Sequence, residues 1–584
     1  MEIKRTFDIL PHALATHPLD NCLVSKVNGK WENISTQEYS DKVNQLSNAL
    51  VELGVKPGDR IASINNNRPE WNILNMAVAQ VGAILCPMYP TISADDYVYI
   101  FNHAEISYVF VSDEEILEKV LKAKESVSTV KDIYTFDKID NAKHWSELFK
   151  LNKDQHNEEI AKRKDAISET DLVTIIYTSG TTGRPKGVMM SHQNLVSNAK
   201  ESLALLPCSP GDKALSFLPV CHVFERTLLN IYIQAGISIY YAESIETLGD
   251  NLKEIKPEIF TAVPRLIEKL YDKVIAGGNQ KSGVIKKLFF WAVNKANNYE
   301  IGQSSGLGDA IANKLIYTKI RAGLGGNIKC IISGSAALQP RLTKFFWGVG
   351  LPILEGYGLT ETSPTVAVNS LLPGGTKFST VGKVLNGVSV KIAEDGEILA
   401  KGPNIMLGYY KDEKLTEEVM TGDWFHTGDI GIFEGEYLKI TDRKKEIFKT
   451  SGGKYVAPGP IENTMKASPF IEQIMVIGEG KKHAAALVVP SFVYIKEWCK
   501  EQGIPCSTND EICTNEKVRK AINSDIDKFN QKFGKVEQIK KIELINTDWT
   551  IPGGELTPTM KPKRKPILKK YDHLLKKIYG DDHC

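Results

Sequence analysis

The densest group of phosphate-seeking side chains in this sequence is Tyr177-Thr-Ser-Gly-Thr-Thr-Gly-Arg-Pro-Lys-Gly187. Gly180, Gly183 and Gly187 permit positive φ, so successive backbone N–H groups can converge on one anion. Thr178, Ser179, Thr181 and Thr182 add short hydroxyls, and Lys186 adds a point charge for phosphate oxygens. The spacing is not that of a Walker loop, because Pro185 precedes the lysine and Gly187 follows it where Ser or Thr would stand. A plain glycine-rich turn is the competing reading, yet turn chemistry does not require this density of hydroxyls beside a lysine.

Five further segments carry chemistry. Glu355-Gly-Tyr-Gly-Leu-Thr-Glu-Thr-Ser363 sets an aromatic face, Tyr357, between Gly356 and Gly358, with Thr360 and Glu361 close behind. Magnesium takes one or two hard oxygen ligands besides phosphate and water, which suits Glu361 and the Thr178 hydroxyl. Ile332-Ser-Gly-Ser-Ala-Ala337 is a weak signal by itself, with Gly334 and Ser335 leaving room for close backbone approach. Asp429 in Thr427-Gly-Asp429 can accept from two neighbouring hydroxyls at once, as ribose offers. The last two are Asp442-Arg-Lys-Lys-Glu446 and Leu556-Thr-Pro-Thr-Met-Lys-Pro-Lys-Arg564, the second of which also reads as a solvated basic run.

These segments need a scaffold. Strand-like runs alternate with amphipathic helical patterns over the first 440 or so residues, predicting an α/β architecture with parallel strands. Ser35 or Thr36 caps a helix with Val43, Leu46, Ala49 and Leu50 on one face, and Arg60 to Ile64 follows as a strand. Val188 to Met190 is short and extended, and Ser191 caps the next helix. Residues 329–358 form another strand-loop-helix-strand unit whose helix opens at Pro340. Ligands in open α/β sheets gather at the carboxyl ends of strands, so loops 178–187, 333–337 and 356–362 are expected to meet in one crevice. Past Asp442 the composition shifts, and a smaller α+β unit follows.

A chain of 584 residues is expected to form at least two domains. A formal net charge of +1 gives no global bias toward nucleic acid. The 9 cysteines include no C-x-x-C pair; Cys499, Cys506 and Cys513 recur with no histidine among them and read as ordinary thiols in a reducing cytoplasm. The amino terminus does not read as a secretory signal, and the apolar window from Trp71 to Pro90 reads as a buried helix and strand. Residues 281–293 are basic at one end and aromatic at the other; burial is the reading taken, with a peripheral membrane contact as the alternative.

The stretch 177–187 resembles the AMP-binding signature of the adenylate-forming superfamily, which contains acyl-CoA synthetases, luciferases and peptide-synthetase adenylation domains. The other segments resemble that family's motifs in family order, over approximately residues 10 to 570. The resemblance implies that Ser179, Gly180, Thr181, Thr182, Gly183 and Lys186 hold phosphates. Gly334, Ser335, Gly356, Tyr357 and Gly358 would hold adenine, Thr360 would meet the α-phosphate, and Asp429 with Arg443 would clamp the ribose. Glu361 and Thr178 would hold Mg²⁺. Lys561 would bridge the attacking carboxylate and the α-phosphate, and His222, in Leu218-Pro-Val-Cys-His-Val-Phe-Glu-Arg226, would stand beside the carboxylate, with simple packing left open. Two departures are mild: Glu446-Ile-Phe-Lys449 in the hinge motif, and Met560 where a glycine usually precedes the lysine.

The implied fold is a large N-terminal domain of layered α/β subdomains, 1–441, and a smaller mobile α+β C-terminal domain, 442–584, hinged at Asp442. The implied activity is ATP-dependent ligation of a long-chain fatty acid to CoA through acyl-AMP, with segments around Ala262-Val-Pro-Arg265 favouring fatty acids. Fatty acid, ATP and CoA are the partners, and nucleic acid is not. Adenylation toward an acyl carrier protein and a non-catalytic nucleotide sensor are the alternatives. Oligomeric state stays open, a homodimer included, and the expected location is the cytoplasm or the inner face of its membrane.

Overall fold

The computed structural model describes residues 2–151, 154–178, 184–303, 306–557 and 560–580. The chain divides into two compact units. The larger comprises residues 1–335, 340–391 and 399–426, and the smaller comprises 336–339, 392–398 and 427–584.

In the larger unit an eight-stranded sheet is built around Ile84–Met88, Arg60–Ile64, Ile106–Val111 and Leu172–Thr178, which run parallel. Side chains alternate across it. Ile61, Leu85 and Phe110 enter one core, while Ala62, Cys86 and Val109 enter another on the opposite face. Both faces are therefore covered, as a parallel sheet demands. The helix capped at Ser35 reads as its sequence predicts: it spans Thr36–Glu52, and Ser35 closes a capping box with Glu38.

One strand departs from the parallel expectation. Lys186–Ser191 returns antiparallel to Leu172–Thr178, pairing Tyr177 with Gly187 and Thr178 with Lys186. The connection is too short for a parallel crossover, which needs a dozen or more residues. Gly408–Tyr409 then pairs antiparallel on the outer side of that strand. Ser191 caps the helix His192–Leu203 through reciprocal bonds with Asn194.

A second sheet in this unit carries Lys213–Ser216, Ile259–Ala262, Cys330–Ser333 and Ile353–Gly358 in parallel, with Thr365–Val368 antiparallel at its side. One apolar core joins residues of both sheets, including Leu85, Val173, Ile239 and Cys330.

The helix Gly283–Asn297 buries Phe289, Ala292 and Val293, while Val284 is 80% and Trp291 42% exposed. The burial read from the sequence thus holds for one face of the helix. Among the described residues no helix is long and apolar enough to cross a membrane.

The smaller unit has its own core, which includes Ile461, Val476, Leu487, Ile522 and Ile567. Its three-stranded sheet orders Ile471–Ile477, Ala485–Pro490 and Ile542–Leu544, flanked by helices such as Pro458–Met465 and Glu516–Asn530. Residues 429–434 pair antiparallel with Tyr437–Arg443, setting Asp429 opposite Arg443.

Candidate active site

The calls on Ser179, Gly180, Thr181, Thr182 and Gly183 lie outside the described residues. The two ends of their loop are described. Thr178 closes one strand and Lys186 opens the next as its register partner. The Thr178 Oγ1 is buried and has no hydrogen-bond partner among the described residues.

Lys186 reaches the third expected loop. Its Nζ lies 2.9 Å from Glu361 Oε1, and the Glu361 side chain is only 9% exposed. The Tyr409 hydroxyl lies 2.5 Å from the same Nζ and 2.8 Å from the same Oε1. Burial alone would raise the Glu361 pKa, but Lys186 and the Tyr409 hydroxyl hold it below the ordinary value. The result is a carboxylate kept ionised in a water-poor position. Glu361 is fixed from behind, since its carbonyl accepts the Met406 N–H at 2.9 Å and Asn404 donates to the Thr362 carbonyl at 2.9 Å.

The loop after Cys330–Ser333 joins the same neighbourhood. A Cβ placed on Gly334 would lie 3.6 Å from the Gly356 carbonyl oxygen and 3.6 Å from the Phe224 ring. Ser335 takes a left-handed backbone, φ 72°. Tyr357 lies in the strand Ile353–Gly358 and rests against the main core. Gly358 has no room for any side chain, because an added Cβ would fall 1.7 Å from the Pro364 carbonyl oxygen. Thr360 begins a short 3₁₀ turn, Thr360–Thr362. The three loops expected in one crevice do meet: Lys186 with Glu361, and Gly334 with Gly356.

His222 caps the helix Val223–Ala235, its Nδ1 accepting the Phe224 N–H at 3.2 Å. That accounts for a histidine there structurally, on a half-buried ring. Two neighbours in the same motif went unread in the sequence. Glu225 is fully buried, accepts from Ser216 at 2.5 Å, and is pushed up to about 8 by burial. Arg226, also buried, donates to Thr174 Oγ1 at 2.6 Å and Asn75 Oδ1 at 2.7 Å. It braces the strand Leu172–Thr178. Tyr409 was missed as well, for no spacing ties Gly408-Tyr-Tyr-Lys411 to a lysine so far upstream.

The smaller unit gathers a second group. Asp429 is buried, and Arg443 Nε lies 3.3 Å from its Oδ1. Lys561 shares their electrostatic surroundings: burial, then Arg443, push it down to about 8, while Asp429 and Glu446 oppose. Its backbone closes a tight turn, donating to Thr557 Oγ1 at 3.0 Å and accepting the Thr557 N–H at 2.8 Å. Met560 holds φ 61° in that turn, the conformation glycine adopts without strain. Arg564 is occupied elsewhere, donating to the Val476 carbonyl at 2.8 Å and to Glu462. Asp442 accepts the Arg443 N–H at 2.7 Å, its other oxygen is buried without a partner among the described residues, and burial pushes it up to about 6.

Comparison with known proteins places this geometry. A family model described as AMP-binding enzyme matches residues 10–410, and one described as AMP-binding enzyme C-terminal domain matches 445–583. The long-chain-fatty-acid–CoA ligase FadD15 of Mycobacterium bovis is 33% identical over 568 residues, covering 95% of this chain and 94% of that protein. The long-chain-fatty-acid–CoA ligase 5 of Rattus norvegicus is 32% identical, covering 99% and 89%. In structure, the adenylation domain of a carboxylate reductase from Mycobacterium chelonae matches with a TM-score of 0.76 at 20% identity, covering 99% of this chain and 91% of that one. The last bears on the fold alone; the two family models together span most of the chain. The chain belongs to the AMP-binding enzyme family.

Proposed function

We propose that this protein is an ATP-dependent ligase that joins a long-chain fatty acid to CoA through an acyl-AMP intermediate, releasing AMP and pyrophosphate. The observation that carries the reading is the Lys186–Glu361 pair at 2.9 Å, in a chain similar over nearly its whole length to long-chain-fatty-acid–CoA ligases. Attack of a carboxylate on the α-phosphorus needs positioning and charge neutralisation more than a protein nucleophile. Lys186 and the backbone of 179–183 bind the outer phosphates, Tyr357 and the Gly334–Ser335 loop hold adenine, and Asp429 with Arg443 holds the ribose. Lys561 brings the carboxylate and the α-phosphate together, Thr360 orients that phosphate, and His222 borders the acyl carboxylate. The division at Asp442, into 1–441 and 442–584, belongs to this proposal.

The donor set fits Mg²⁺: an ionised, buried Glu361 carboxylate and the orphaned Thr178 hydroxyl are hard oxygens of the number that ion takes from protein. When bound, the ion would neutralise phosphate charge. CoA is favoured over a carrier protein as acceptor by the names of the full-length relatives.

A lipid surface is the proposed place of substrate capture. Between residues 281 and 322 Lys and Arg outnumber Asp and Glu, and both acids, Glu300 and Asp309, are ion-paired. The exposed Val284 and Trp291 lie on the same segment, a pattern suited to an anionic bilayer. Flotation with anionic vesicles, against neutral ones as control, tests this; protein left wholly unbound by both removes it.

The activity itself is tested by exchange of labelled pyrophosphate into ATP. Exchange that requires added long-chain fatty acid, followed by CoA-dependent release of AMP, is the expected result. No exchange with any fatty acid overturns the reading.

A further inference from the structure

Tyr409 lies in a strand of two residues whose place is fixed on every side. Gly408 and Tyr409 pair with Met189 and Val188. The Tyr410 N–H donates to the Gly187 carbonyl at 2.8 Å, and the Tyr409 N–H donates to Thr416 Oγ1 at 2.9 Å. This register sets the phenol beside Lys186, one residue upstream of the paired segment. The adjacent Tyr410 is held too, edge-on to His103 with ring centroids 5.6 Å apart, and His103 in turn bonds the Tyr177 hydroxyl at 2.7 Å.

The order of donors in the cluster follows from chemistry. An ammonium only donates and a carboxylate only accepts, so the hydroxyl between them accepts from Lys186 and donates to Glu361. The ring contributes as well, with Lys186 Nζ 4.1 Å from its centroid. Two of the three ammonium donors are thereby committed, one to Tyr409 and one to Glu361. Among the described residues the ammonium has these two hydrogen-bond acceptors, and the third N–H is the one offered to a ligand. Without the hydroxyl, Lys186 would keep a single anchor and regain much of the rotamer freedom of its long stem.

We propose that Tyr409 is a positioning residue for triphosphate binding: it holds the Lys186 ammonium and the Glu361 carboxylate at a fixed separation, so that the lysine presents its remaining N–H to a phosphate oxygen. The nucleotide half of this statement rests on the function proposed above; the holding of the lysine does not.

Tyr409→Phe keeps the ring and removes the oxygen, and two measurements follow. The first needs no ligand: brief acylation of the intact protein with an N-hydroxysuccinimide ester, read lysine by lysine by peptide mass spectrometry. Lys186 should label about threefold faster in the variant, with Lys213 as the internal control unchanged, since one of two anchoring hydrogen bonds is gone. The second is fatty-acid-dependent pyrophosphate exchange, where the KM for ATP should rise about tenfold with kcat within roughly threefold of the parent. Thioester formation from supplied acyl-AMP should be unchanged. Labelling of Lys186 and KM both within about twofold of the parent overturn the proposal. So does a uniform rise at all lysines with a lowered melting temperature, which would make Tyr409 a prop for the fold. If the parent shows no exchange, the proposed function fails, and the labelling still decides whether Tyr409 holds Lys186.

Discussion

Asp429 and Arg443 are register partners on neighbouring antiparallel strands, and their side chains pair at 3.3 Å with Asp429 buried. Two hydroxyl-binding groups of opposite sign thus stand on one rigid hairpin, and Lys561 lies within their field. Its proton is therefore negotiable near neutral pH, which leads to the first prediction.

Acyl-adenylate formation should decline as pH rises through about 8, because burial and Arg443 place the Lys561 transition there and only the protonated amine attracts both anions. Lys561→Arg should be slower but flat over that range, since a guanidinium stays charged. Pyrophosphate exchange as kcat/KM against pH reads this; coincident profiles for the two proteins would refute it. For stability the sign is opposite. The folded pKa lies below the unfolded one, so the stability contributed by this group grows as pH climbs from about 8 to 10.5 and is lost as pH falls through about 8.

Lys561→Ala should separate the two half-reactions. Adenylation should fall by roughly a hundredfold or more, the scale of losing a positioned electrostatic group, while CoA transfer from supplied acyl-AMP persists. Equal losses in both halves would remove the assigned role.

Gly358→Ala should be severe. Its Cβ would overlap the Pro364 carbonyl, so the strand carrying Tyr357 must shift away from Thr365–Val368. A destabilisation of about 3 kcal/mol and a matching loss of ATP binding are expected from denaturant titration and exchange kinetics. An alanine variant with parental midpoint and KM would show the loop to be more pliant than its geometry implies.

Ser191→Ala offers a contrast. It removes a buried cap in which Ser191 Oγ accepts the Asn194 N–H at 3.1 Å and Asn194 Oδ1 accepts the Ser191 N–H at 2.8 Å. The expected cost is about 1 to 2 kcal/mol with unchanged KM for ATP. A raised KM without loss of stability would mean the helix start takes part in binding.

Ser191 also marks how far the sequence could be read. Capping is local chemistry, so Ser35 and Ser191 announced their helices, and the short apolar run after the first of them announced the strand Arg60–Ile64. The lysine and Glu361 were legible because their motifs are contiguous. Tyr409, Glu225 and Arg226 were not, since each acts through partners brought near only by strand pairing and burial. The hairpin at Lys186 was missed for a related reason: a glycine-rich loop looks the same whether the chain turns back or crosses over. Met560 stood out as a departure, and its left-handed backbone explains why glycine is the usual choice at that place.

Lys186 and its phenolic holder are 223 positions apart along the chain. A polypeptide halted in synthesis before Gly408 would carry the cation, the Glu361 carboxylate and every glycine of the loop, yet lack the peg that holds the two together. Nucleotide grip is thus a property acquired late, when almost the entire larger unit has left the ribosome, and fragments ending short of that strand should be poor competitors for cellular ATP.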